Sequence, residues 1–338
     1  MSQRRITILE IAKHAGVTDA TVSRALRNSP LVKETTRQRV LAVAKELNYR
    51  KSTAGQGLST GRTCTFGLIT PSLRYPLNAD MAECILLCAS QINHGVLVSS
   101  VDNHDAKTVS RMRIFCEHCV DGVILQPAMS NKDISCIEII RQYNIPFVVS
   151  ADVPDYDVSF ASFDNYDGVS QLTRHLLERG YRRPALITSW SSHTGALRHV
   201  KGFRDTLQSA GRDPSQYPIV HQEQFDSKSI EATIRTILEG PARVDSMLIT
   251  DVAVAMQIYH RLRSRGVKIG PEFGLAVADE VPWWDDSCLS VTSIRFPVFK
   301  IAQTLVEMLQ RRIENQNCRR ETRYFKAKIF PRDSTKRG

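Results

Sequence analysis

The chain has 338 residues, 42% hydrophobic and 24% charged, with a formal net charge of +10. That is ordinary globular composition, long enough for two or three domains with cores of their own. No apolar run approaches the ~20 residues of a membrane span. The N-terminus has basic residues but neither an apolar stretch nor a small-residue cleavage site, which argues against a secretory signal and for a cytoplasmic location.

The charge is unevenly spread. The first 62 residues hold twelve Lys/Arg against four Asp/Glu, whereas the remaining 276 hold 33 against 31. A small basic head on a nearly neutral body predicts a polyanion partner for the head and a different partner for the body.

In chain order, Thr7 is a plausible N-cap for a first helix with Ile8, Ile11 and Ala12 on one face. Ala15-Gly16-Val17 reads as a tight turn, because glycine tolerates the positive φ such a turn needs. Thr18 caps a second helix, Asp19–Leu26, with Val22, Ala25 and Leu26 inward. Glu34-Thr35-Thr36 opens a third helix, with Val40, Val43, Ala44 and Leu47 at i, i+3, i+4 and i+7. Residues 1–49 are therefore expected to form a three-helix unit.

Residues 50–63 are a polar, Gly- and Ser/Thr-rich linker. Gly55-x-Gly57 is not a nucleotide fingerprint, since it follows a helix and precedes a strand. From Thr65 the pattern alternates. Strands are predicted at Thr65–Thr70, Val96–Ser100, Gly122–Gln126, Phe147–Ala151, Ala185–Ser189, Ser246–Thr250 and Gly274–Ala278. Helices are expected at about 78–92, 107–118, 133–142, 167–179, 197–210, 227–238, 252–265 and 297–315. Short apolar strands separated by helices imply two doubly wound parallel sheets, hence a two-lobed α/β body over 64–338 with a ligand cleft between the lobes. Lobe 1 is expected at about 64–161 and 291–320, lobe 2 at about 162–290 and 321–338.

The eight cysteines have no repeating frame and read as free thiols. Cys116-Glu-His-Cys119 resembles half of a metal site, but lacks a second pair of ligands nearby. No metal, cofactor or catalytic residue is assigned. An enzyme of this build would show a phosphate-binding Gly-x-x-x-x-Gly-Lys-Ser/Thr loop or a Gly-x-Ser-x-Gly elbow, and the sequence has neither.

The run from Gly16 to Leu26 (Gly-Val-Thr-Asp-Ala-Thr-Val-Ser-Arg-Ala-Leu), with Thr36-Arg37-x-Arg39-Val40 and Leu47-Asn48-Tyr49-Arg50, closely resembles the headpiece of the lactose-repressor/galactose-repressor (LacI/GalR) family. Val120–Leu125, Phe163-Asp164-Asn165, Gly202-Phe203, Arg265-Gly266, Pro271-Glu272 and Arg332-Asp333-Ser334-Thr335 follow in the family's order, so the resemblance spans the chain. It implies an N-terminal all-α helix-turn-helix headpiece on a periplasmic-binding-protein-like body. The function implied is that of a transcriptional regulator, in particular a repressor, binding a pseudo-palindromic operator as a homodimer under control of a small carbohydrate-like effector such as a sugar or sugar acid.

A helix-turn-helix lays its second helix in the major groove of double-stranded DNA. By the resemblance, Asp19 and Ala20 set operator preference and Arg24 reaches a base. Thr7, Thr18, Thr21 and Ser23 complete the expected DNA contacts, hydroxyls being suited to phosphates. Asp19 also reads simply as a first-turn acid at a positive helix end. Leu58 stands where the family wedges a leucine into the minor groove from a hinge helix. Here Lys51, Ser52, Gly55 and Gly57 depart from the family's hinge, leaving open a constitutive, architectural DNA-binding protein with a vestigial pocket.

For the effector, the resemblance points to Tyr75 and Leu77 near the first strand, Asp164 at the lobe crossover, and Arg198 or His199 ahead of Gly202-Phe203. Phe225, Asp251 and Asp279 complete that set. Trp190 and Trp283 are candidate stacking faces, Trp283-Trp284 reading equally as lobe packing. His193, His199 and Arg198 suggest an anion-friendly corner for a sugar acid or phosphate. No leucine heptad tail follows Thr335, so a tail-made tetramer is not expected.

Overall fold

The computed structural model describes residues 6–49, 62–101, 120–126, 135–153, 156–188, 194–286 and 288–338, together with Ser110, 113–115 and Glu117. The chain divides into two compact units between Thr63 and Cys64. Leu58, Trp190, His193 and Cys116, His118 and Cys119 lie outside the described residues.

The first unit contains α1 (Ile8–Ala15), α2 (Asp19–Leu26) and α3 (Glu34–Glu46). Thr7 caps α1 in a reciprocal box: its hydroxyl accepts the Glu10 amide and Glu10 takes the Thr7 amide. Gly16 ends α1 in the left-handed region at φ 62°, where only glycine sits without strain. Ile11, Val22 and Val40 are fully buried, one from each helix, and centre the small core.

The second unit has two six-stranded sheets. The first comprises β1 (Thr65–Thr70), β2 (Gly95–Ser100), β3 (Gly122–Leu125), β4 (Phe147–Val149), β5 (Phe160–Phe163) and β11 (Thr322–Phe325). The second comprises β6 (Pro184–Thr188), β7 (Ile219–His221), β8 (Ser246–Ile249), β9 (Gly274–Val277), β10 (Thr292–Arg295) and β12 (Lys328–Phe330). Their orders match: β2-β1-β3-β4-β5-β11 and β7-β6-β8-β9-β10-β12. All pairings are parallel except that of β12 with β10, so the second sheet ends on an antiparallel edge strand. The flanking helices are α4 (Pro76–Gln91), α5 (Ser135–Gln142), α6 (Asn165–Glu178), α7 (Thr194–Ser209), α8 (Ser227–Glu239), α9 (Val252–Ser264) and α10 (Val298–Glu314).

The chain changes lobe three times: between β5 and α6, between β10 and α10, and between β11 and β12. This corrects the expected lobe limits at 161, 290 and 320. The last two shift by about five residues because β10, β11 and β12 are too short to announce themselves, and β11 buries little. One apolar cluster, including Phe66 and Ile124 of lobe 1 and Leu186 and Leu248 of lobe 2, continues through Val169 and Phe296 at the crossings.

Two sequence motifs gain a physical reason. A Cβ at Gly202 would lie 2.5 Å from the Tyr166 carbonyl oxygen, so glycine is what lets α7 lie against α6. The terminal Arg332–Thr335 segment closes lobe 2. Ser334 Oγ donates to Leu275 O at 2.6 Å and accepts the Thr292 amide at 2.7 Å. Thr335 Oγ1 meets Thr292 Oγ1 at 2.7 Å and His175 Nε2 at 2.8 Å.

Candidate DNA interface and effector cleft

In the headpiece, the first turn of α2 presents Thr18, Asp19 and Ala20 to solvent, with Arg24 exposed one turn later and Thr21 and Ser23 half-buried. Val22 and Ala25 face the core. The helical period therefore leaves one polar face of α2 outward. Thr18 Oγ1 accepts the Thr21 amide at 3.3 Å and meets its hydroxyl at 2.9 Å. Asp19 Oδ1 accepts the Ala20 amide at 2.8 Å, so its charge already serves the positive end of the helix. Thr7 is exposed at the start of α1, its oxygen committed to Glu10.

In the body, parallel pairing aims the carboxyl ends of both sheets at the inter-lobe cleft, the usual ligand position in doubly wound folds. On the lobe 1 side three side chains satisfy one another, while the buried Ser150 hydroxyl beside them has no partner. Thr70 Oγ1 donates to Gln126 Oε1 at 2.8 Å, Gln126 Nε2 to Asn78 Oδ1 at 3.0 Å, and Asn78 Nδ2 to Ser72 O at 3.1 Å.

Arg198 of α7 reaches across to lobe 1. Its guanidinium lies 3.1 Å from Asp152 Oδ2 and 3.3 Å from Asp164 Oδ1, and 4.5 Å over the Tyr324 ring. Burial, then a hydrogen bond to Asp152, raises the Tyr324 phenol above its ordinary value. Asp164 also caps α6 through the Asp167 amide at 3.1 Å. A cavity of about 180 Å³ opens beside this group, lined from lobe 1 by Asn78, Gln126 and Asp152 and from lobe 2 by Gly195, Arg198 and His199.

The anion-friendly corner is not what the geometry builds. Arg198 is neutralised by two aspartates, and burial holds His199 down at about 4, so its ring is neutral. His199 Nδ1 lies 3.1 Å from Thr188 Oγ1. Among the described residues of this corner Arg198 is the one cation, and a carboxylate or phosphate would have to displace Asp152 or Asp164 from it; His193 lies outside them.

Elsewhere in the cleft, Tyr75 of lobe 1 and Phe225 of lobe 2 meet edge-to-face, their centroids 6.5 Å apart. Asp251 caps α9, taking the Val254 amide at 2.9 Å. Burial raises its carboxyl above the ordinary range, against the pull of the Val254 and Ala253 amides. Asp279 follows β9 and accepts the Glu280 amide at 2.8 Å. Burial pushes Asp279 up to about 7, with further lift from the charges of Asp251, Glu280 and Asp80. Leu77, Asp80, Asp279 and Glu280 help line a second cavity of about 740 Å³.

The segment carrying Asp279 is anchored from behind. Arg332 makes a two-nitrogen contact with Glu280, at 2.8 and 3.2 Å. Burial alone would raise Glu280, but Arg332, Ser293 and Arg295 outweigh it and hold its carboxyl below the ordinary value. Trp284 is fully buried in the lobe 2 core with its indole N–H on Asp279 O at 3.2 Å. Trp283, 43% exposed, lines neither cavity, which corrects its reading as a stacking wall: the 3-10 turn of Pro282–Asp285 can direct only one of two adjacent indoles inward. Sequence reasoning missed Asp152, Gln126 and Tyr324, because none sits in a motif.

A helix-turn-helix unit joined to a two-lobed cleft of this kind defines a DNA-binding, ligand-responsive transcriptional repressor. The chain belongs to the LacI family of bacterial regulatory proteins: that family's profile matches residues 7–52, and the profile of periplasmic binding proteins and the sugar binding domain of the LacI family matches residues 63–287. It is similar to the transcriptional regulator DegA of Bacillus subtilis, 26% identical over 87% of each chain. The ribose operon repressor of Halalkalibacterium halodurans is 25% identical over 98% of each chain. The fold is that of the lac repressor dimer bound to operator and the anti-inducer ONPF (TM-score 0.87, 20% identity, covering 98% of this chain and 99% of that one). The transcriptional regulator CelR–cellobiose complex shares it too (TM-score 0.74, 22% identity, 98% and 100% covered). Among the described residues, no helix is long and apolar enough to cross a membrane.

Proposed function

We propose that this repressor binds a pseudo-palindromic operator as a homodimer and that a neutral, polyhydroxylated metabolite in the inter-lobe cleft sets its grip on DNA. The exposed face of α2 reads bases through Arg24, Asp19 and Ala20, while Thr7, Thr18, Thr21 and Ser23 engage phosphates and fix register. Dimer symmetry matches two half-sites.

One observation carries the ligand class. Among the described residues no cation pairs with Asp251 or Asp279 in the cleft: of the two guanidiniums that line its cavities, Arg198 belongs to Asp152 and Asp164 and Arg295 to Glu280. Carboxylates accept hydrogen bonds from sugar hydroxyls, and the Tyr75–Phe225 pair offers the apolar face of a sugar ring a place to pack. An anionic ligand meets uncompensated negative charge instead. That CelR, which shares this fold, forms a complex with cellobiose supports a neutral sugar.

Closing the lobes on the ligand changes the balance of contacts across the cleft, Arg198–Asp152 among them. Ligand and DNA then alter each other's affinity by the same factor. Calorimetric titration with neutral sugars and the matching sugar acids tests the assignment. Tighter binding of a neutral sugar is expected; consistently tighter binding of the acids would overturn it.

A further inference from the structure

The edge of the lobe 1 sheet away from the cleft carries a second cluster. Cys64, His94 and Asp121 each stand immediately before a strand: β1, β2 and β3. These strands are neighbours in parallel register, Thr65 opposite Gly95 and Phe66 opposite Gly122. Three residues far apart in sequence are therefore brought to one rim by the strand pairing itself.

We propose that Cys64, His94 and Asp121 form a three-ligand site for a zinc-class divalent cation. One ligating atom from each residue lies within 4.8 Å of the other two, and all three residues are partly accessible. Thiolate, imidazole and carboxylate together are donors that zinc takes at about 2.0–2.3 Å, commonly leaving a fourth, tetrahedral position to water. Calcium and magnesium would prefer oxygen ligands throughout.

The surroundings orient the donors. The His94 ring stacks on Phe66, centroids 4.4 Å apart and planes 21° apart. Its Nδ1 is 2.9 Å from Ile92 O, and a carbonyl can only accept, so Nδ1 is the donor in this bond and Nε2 is the nitrogen left for a metal. That is the backbone bond that fixes metal-ligating histidines. Asp121 Oδ2 accepts the Cys64 amide at 2.8 Å, and Cys64 O accepts the Gly95 amide at 2.9 Å. Cys64 is held at φ 49°, a left-handed conformation that disfavours any side chain. Bonds on both sides of its peptide retain it there.

The test uses full-length protein stripped with a chelator, dialysed against micromolar zinc and assayed for bound metal, with cobalt as an optical probe. One ion per chain and a thiolate-to-cobalt charge-transfer band are expected. Cys64→Ser should abolish the band. Asp121→Asn, which keeps an oxygen for the Cys64 amide but loses the charge, should weaken metal binding on the order of 10-fold or more, and it serves if Cys64→Ser does not fold. Cys119→Ser should change neither readout. No retained metal in the parent protein, a band that survives in Cys64→Ser, or a band lost in Cys119→Ser would each overturn the site.

Discussion

The two lobes share a strand order and differ in what they place at the strand ends. Lobe 1 ends in a chain of amides and hydroxyls, from Thr70 through Gln126 to Asn78, and in two aspartates, Asp152 and Asp164, that Arg198 pairs. Lobe 2 ends in carboxylates, Asp251 and Asp279, raised by burial and held by backbone amides rather than by cations. The fold supplies the location of the cleft; a few residues beyond each strand decide its chemistry. Lobe 2 carries an electrostatic cost, which the proposed hydroxyl-bearing ligand would relieve.

That contrast can be broken from either side. The largest effect is expected from Arg332→Met, which leaves the buried Glu280 carboxylate (side-chain exposure 6%) with only the exposed Arg295 and the Ser293 hydroxyl as partners. Removing the main partner of a buried ion costs up to about 3–5 kcal/mol, and urea unfolding should show a loss approaching that size. A loss below ~1 kcal/mol would mean that the Asp279 segment is not anchored as described.

Gln126→Leu attacks lobe 1. It leaves the buried Thr70 hydroxyl without its acceptor, which costs about 1–3 kcal/mol at any pH. The pH-independence is the check, since no ionised group takes part in this network.

Asp279→Asn attacks lobe 2 and should act in the opposite direction. A carboxyl raised to about 7 binds more protons folded than unfolded between its ordinary range and that value. Stability therefore falls as pH rises through this window. The asparagine variant should unfold later than the parent at pH 8, by on the order of 1 kcal/mol after allowance for the cleft's solvent. Its advantage should shrink toward pH 5 and vanish below the ordinary carboxylate range. Weaker sugar binding should accompany it. Thermal melts at the two pH values decide the point; equal advantage at both contradicts the assigned burial.

The smallest effect is expected at His199. Its ring is held at about 4, below the ordinary 6.5, so the unfolded chain binds the extra proton between those values and stability falls as pH drops through them. His199→Gln should flatten that acid limb, by on the order of 1 kcal/mol once the cleft's solvent is allowed for. An unchanged slope between pH 6.5 and 4 would place the loss elsewhere.

Much of this architecture was readable in the sequence, for identifiable reasons. Thr7, Gly16 and Thr18 are capping and turn residues whose local chemistry dictates where α1 ends and α2 begins. The central strands are buried on both faces, so apolar runs such as Thr65–Thr70 and Ser246–Ile249 stand out. The crossings did not, because β10, β11 and β12 span three or four residues and take their places by pairing with distant partners. Within the cleft, Tyr75, Asp164 and Asp279 fall at motif positions, and Arg198 one residue before one. Asp152 does not: its role depends on a guanidinium 46 residues later. Position also misled for Arg198 and His199, since a basic pair in sequence says nothing about the aspartates and the burial that silence it. The Cys64–His94–Asp121 cluster is invisible to spacing for the same reason.

The most direct test starts from random duplexes. The purified protein selects a preferred sequence, and anisotropy at physiological salt then compares that duplex with scrambled DNA, with and without a sugar that raises thermal stability. The account predicts a clear preference for the selected duplex, with the sugar shifting affinity roughly 5–150-fold, a coupling of about 1–3 kcal/mol. No sequence preference, or a preference indifferent to a bound sugar, would contradict it.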